Sequence, residues 1–161
     1  MTTPSTRQKL RQRLYLKEYL KELAALTGRP VQCGDLLSLE QTADLQAARQ
    51  KCGVEAAVST DILFSDRGSE RFGAFLRRLH DANPSAIYVW TPRTIDCGAL
   101  LVPSLSAIQW GFDFAVNEEG ILAFVTSDLA DRLLLDFSEL PTDEQRMKIE
   151  IQGPNWGSVA Y

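Results

Sequence analysis

With 161 residues, 45% of them hydrophobic and 24% charged, the chain has the length and composition of one folded domain and is too apolar for intrinsic disorder. The net charge is −4, and no stretch approaches the roughly 20 consecutive apolar residues that cross a bilayer. Three cysteines, Cys33, Cys52 and Cys97, stand at least 19 positions apart, which argues against a disulfide framework or a close-spaced zinc pair; a cytoplasmic location without a secretory signal is expected.

Charge is unevenly placed along the chain. Residues 1 to 34 hold seven bases against two acids, a balance of +5, and the rest holds ten against nineteen, a balance of −9. From Gly111 to Glu150 ten acids face three bases, an asymmetry that suits partners of opposite sign for the two parts.

Thr6 to Thr27 reads as a helix, because Leu16, Tyr19, Leu20, Leu23 and Leu26 fall at the i, i+3, i+4 spacing of a buried stripe and Gly28 and Pro30 stop it. Arg13, Lys17 and Lys21 recur every four residues as a positive ridge. It is read first as a solvated face paired locally with Glu18 and Glu22, with nucleic-acid or membrane contact as alternatives. A capping-box pattern at Ser38-Leu39-Glu40-Gln41 starts a second helix that runs to about Cys52. Between Ser65 and Asn83, Phe72, Phe75, Leu76 and Leu79 mark a third, closed by Asn83-Pro84.

After Pro84 the period changes from helical to two. Ala86 to Thr91, Trp110 to Val116, Ile121 to Thr126, Arg132 to Phe137 and Met147 to Ile151 all read as strands, with turn chemistry at Asn117 to Gly120 and at Ser127 to Ala130. Helices first and strands later predict a single α+β domain, its N-terminal helices packed on one face of a C-terminal antiparallel meander. Trp90 and Trp110 are read as core residues. The tail bearing Trp156 and Tyr161 is either folded back over the sheet or offered to a partner, folding back being preferred.

No catalytic constellation stands out. His80, the only histidine, lies near a helix C-terminus, where the dipole favours a solvent-facing imidazole. The cysteines read as buried or incidental thiols, and neither a glycine-rich phosphate loop nor an EF-hand loop occurs. The densest polar group is acidic: Asp113, Glu118, Glu119, Asp128, Asp131, Asp136 and Glu139. Asp113, Glu118, Glu119, Asp128 and Asp131 are the candidate partner contacts. No catalytic residue, metal ligand or cofactor is assigned. The expected partner is a protein rather than a membrane or nucleic acid, and self-association is open. A metal-assisted hydrolase using strand-end carboxylates is the alternative.

Glu119-Gly120-Ile121-Leu122, Leu133-Leu134-Leu135-Asp136-Phe137-Ser138 and Ile149-Glu150-Ile151-Gln152-Gly153-Pro154-Asn155-Trp156 resemble segments of small bacterial immunity proteins of contact-dependent growth inhibition and related polymorphic toxin systems. The likeness spans residues 86 to 157. It implies a compact cytosolic domain without chemistry of its own, one that neutralises a cognate toxin by covering its active site, here with an acidic patch turned to a basic toxin domain.

Overall fold

The computed structural model describes residues 4–52, 56–138 and 144–161. Helix α1 spans Thr6–Thr27. Ser5 caps it by accepting the Gln8 N–H at 3.2 Å, while the Gln8 side chain accepts the Ser5 N–H at 2.7 Å. Two otherwise orphaned donors are satisfied reciprocally. At the other end Gly28, with φ +66, returns its N–H to Ala24, the left-handed closure that glycine adopts without strain. Helix α2, Leu39–Lys51, begins with the same device at Ser38 and Gln41. Helix α3 is Glu70–Ala82, capped by the Ser69 hydroxyl on the Phe72 N–H. It starts later than Ser65 because Phe64–Gly68 forms a 3-10 turn, in which Asp66 accepts the Leu63 N–H at 3.1 Å. None of the helices of the described residues is long and apolar enough to cross a membrane.

The strands are β1 (Val58–Leu63), β2 (Ile87–Trp90), β3 (Leu100–Val102), β4 (Ile121–Thr126), β5 (Arg132–Asp136) and β6 (Arg146–Gln152). They form one sheet in the order β1-β6-β5-β4-β2-β3, every pair antiparallel. The α+β expectation holds. Four of the expected strands are present, and β1 and β3 join them. The strand expected over Trp110 to Val116 is instead an irregular loop. β4, the strand it leads into, already has a partner on each side, so that segment has no place beside it. Its alternating aromatics pack as a plug, Phe112 and Phe114 against Phe64 and Phe137, and Trp110 between Phe72 and Phe124. Asp113 turns the backbone by accepting the Ala115 N–H at 2.9 Å, the Asx geometry that competes with a ladder.

Register fixes the two faces. Leu100, Val89, Phe124, Leu133 and Ile151 lie side by side across five strands and are all buried. On this face α3 contributes Phe72, Phe75 and Leu79 to the core, none of them exposed. The tail folds back over α3. Trp156 is fully buried and its indole donates to the Leu79 carbonyl at 2.8 Å, while the Tyr161 ring stands 5.4 Å from Phe75.

One residue along, Leu101, Tyr88, Val125, Arg132 and Gln152 form the neighbouring row on the opposite face. The C-terminal half of α2 approaches this row, with the Arg49 guanidinium donating to Gln152 at 3.0 Å. Trp90 is on this side too, half-buried rather than in the core. A short helix α4, Thr94–Cys97, follows β2, and α1 packs on it. The Tyr19 hydroxyl donates to the Gly98 carbonyl at 2.7 Å.

Candidate functional site

The five carboxylates singled out in the sequence fall into two separate groups. Asp113, Glu118 and Glu119 lie in the loop that leads into β4, and Asp128 and Asp131 lie in the turn that leaves it. The six residues of β4 hold these loops about 20 Å apart at roughly 3.3 Å per residue. Asp136 projects with Lys148 on the face opposite the core. Glu139 lies outside the described residues.

Asp131 is not a surface contact. It is fully buried, and its Oδ1 accepts the backbone N–H groups of Asn155 and Trp156, both at 2.9 Å. Its Oδ2 accepts the side-chain amides of Asn83 at 2.7 Å and Asn155 at 2.8 Å. The carboxylate ties the tail to the sheet, as a buried charge must be tied to be tolerated. Asp128 is exposed but engaged. Burial pushes its carboxyl up, and hydrogen bonds from the Thr126 hydroxyl, the Ala130 N–H and the Asn83 amide outweigh that and hold it below the usual range.

Of the other group, Glu118 and Glu119 border an open cleft of about 430 Å³ between α1 and the loop before β4, and Asp113 lies outside its lining. Tyr15, Glu18, Tyr19 and Glu22 of α1 form one wall, Ala115 to Glu119 the other, and Arg93 stands between. Glu22 is the unexpected member. Instead of pairing with the basic ridge it turns inward, 8% exposed, and accepts the Asn117 amide at 3.1 Å. Burial pushes its carboxyl up to about 7, with Glu119 adding to the rise and Asn117 and Arg93 opposing it. The ridge does pair with Glu18, from Lys21 at 3.3 Å.

Asn117 shapes this cleft. Its oxygen accepts the Gly120 N–H at 2.6 Å and its amide also donates to the Ile121 carbonyl at 3.0 Å, so the loop carrying Glu118 and Glu119 is held to the start of β4. Arg93 lies over the Tyr15 ring at 3.7 Å and reaches Glu119 at 3.8 Å. Glu18, Glu22, Glu118 and Glu119 thus share one cleft with Arg93. A cleft so lined suits a cation on an apolar stem, which can set its charge among carboxylates and its stem against tyrosine.

Arg93 and Tyr15 carry no sequence signal. Glu22 does: it is three residues after Tyr19 and four before Leu26, on the stripe read as buried, where a glutamate is out of place. Cys97 is buried, and its thiol is pushed up to about 12 by that burial, far from a thiolate nucleophile. Among the described residues no three of His, Cys, Asp and Glu are grouped so that they could hold a metal ion. No family model, curated protein or solved structure matches the chain.

Proposed function

We propose that the protein is a binding inhibitor of the immunity type, acting in the cytoplasm, whose acidic cleft receives a basic segment of a cognate toxin domain. One observation carries this reading: four glutamates, Glu18, Glu22, Glu118 and Glu119, line a single open cleft alongside Tyr15. The −9 balance beyond residue 34 would steer a cationic partner toward it, and carboxylates set along a rim can stand in for the phosphates that a nuclease-like partner holds. Asp113, exposed in the same loop, extends the acidic surface beyond the cleft.

Self-association is the second reading, and one feature favours it. On the basic first half of α1, Leu10 and Leu14 are 58% and 64% exposed and four residues apart, an apolar strip on a positive helix that would complement the acidic cleft of another copy. Light scattering at low and high salt separates the two: a monomer at both supports the inhibitor, and a dimer that dissociates as salt rises supports self-association.

The test of the first reading is capture from source cells at low salt, using wild type beside a variant with Glu18, Glu118 and Glu119 all changed to Gln. A basic protein held in stoichiometric amount by wild type and lost from the variant is the expected result. Equal retention by both, or none by either, would overturn the assignment.

A further inference from the structure

On the side of the molecule facing away from the core, α2 and the sheet enclose a groove of about 200 Å³, lined by Gln46, Arg49, Trp90, Val125, Leu129 and Arg132. A second hollow, which shares Arg49 and Leu129, adjoins it. Two guanidiniums therefore meet in one half-buried place. The Nε of Arg49 and the Nε of Arg132 are both buried and neither has a hydrogen-bond partner. Native interiors seldom leave such donors unmet, and a charged one is costlier still.

Among the described residues neither arginine has an ion-pair partner. Glu150, on the same face, is bound to Lys148 at 2.7 Å, and Asp128, in the adjoining hollow, is taken up by the Thr126 hydroxyl and the Ala130 N–H. Burial lowers the Arg132 pKa and Arg49 lowers it further, with Glu150 opposing. Two like charges side by side in a half-buried groove favour an anion between them.

The groove is also built. Leu129 has φ +63, a left-handed conformation that a bulky side chain rarely takes. Its N–H donates to the Thr126 carbonyl at 2.7 Å, and the flanking turn is locked by Asp128 on the Thr126 hydroxyl at 2.6 Å and on the Ala130 N–H at 3.0 Å. Asp128 and Asp131 therefore brace the turn that presents Leu129 as a wall of the groove.

We propose that this groove binds a small organic carboxylate, its oxyanion held by the guanidinium groups of Arg49 and Arg132 and its apolar frame resting against Trp90, Val125 and Leu129. The planar guanidinium fork matches a carboxylate. The volume, below the roughly 300 Å³ at which drug-sized pockets begin, suits one ring or a short chain. The site is independent of the acidic cleft.

Benzoate is the probe, with benzamide as its neutral counterpart and inorganic phosphate as an anion without a frame. The readout is the set of arginine Nε–H and tryptophan indole signals in proton–nitrogen correlation spectra of the full chain. Benzoate is expected to move the Arg49, Arg132 and Trp90 signals saturably, with a Kd on the order of 1 mM for so small a ligand. Benzamide should leave them in place. Arg49→Met and Arg132→Met should each weaken benzoate by about tenfold or more, through loss of a charge-assisted bond. No saturable movement with benzoate, equal movement with benzamide, or unchanged affinity in folded arginine variants would overturn the site. Phosphate binding as tight as benzoate would overturn the part given to Trp90. Should either variant fail to fold, the wild-type contrast between benzoate and benzamide decides alone.

Discussion

Asp131 and Glu22 are the two buried carboxyl groups on which the molecule depends most, and they are kept buried in opposite ways. Asp131 is held by four donors that converge on it. Asp131→Ala would leave two backbone N–H groups and two amides without an acceptor, and a loss of about 3 kcal/mol or more is expected in urea denaturation. Glu22 is instead raised from 4.5 to about 7, so the folded state holds a proton that the unfolded chain has already released. Stability from this group is present in full below the unfolded value and is lost as pH rises through the folded one, by up to about 3 kcal/mol. Glu22→Gln keeps an acceptor for Asn117 without a charge. Denaturation between about pH 5 and about pH 8 should therefore show wild type losing stability where the variant does not.

At the level of elements, the turn after β6 is the tightest junction. Gly153 has φ +122, and a Cβ there would lie 2.3 Å from Asp131 Oδ1 and 2.4 Å from the Ala130 carbonyl, so Gly153→Ala should cost more than about 2 kcal/mol. Gly34→Ala, where a Cβ meets nothing within 4 Å, serves as the neutral control in the same melt. The three long helices were legible from local signals, the apolar stripes of α1 and α3 and the capping box at Ser38, while the expected α3 starts too early because it misses the Ser69 cap. β1 was not, since Ser59 and Asp61 leave it no continuous apolar face and its only partner is β6, far along the chain. β3, three residues long, is too short for a period to show. The false strand at Trp110 to Val116 has the same origin in reverse. Alternating aromatics record which side chains are buried, not whether the backbone has a partner. The acids were legible by composition alone. Their division between the two ends of β4, the inward turn of Glu22 and the approach of Arg93 all depend on chain crossings that no local pattern encodes.

Over the whole molecule, charge is sorted by position. The first half of α1 is basic and solvent-facing, the cleft beside its second half is acidic, and the groove behind the sheet holds two arginines that form no ion pair among the described residues. A surface so divided suits oriented approach by a cationic partner. Long-range attraction acts before contact and is screened beyond about 10 Å at moderate salt. The acidic cleft is therefore best tested by the rate of association with the captured partner as ionic strength is raised, for wild type and for the Glu118→Gln, Glu119→Gln double variant. The expected result is a wild-type rate that falls steeply with salt and a variant that is about tenfold slower at low salt, with a flatter dependence, the two converging at high salt. Superimposable curves at every ionic strength would contradict the assignment of the cleft as the partner-binding surface.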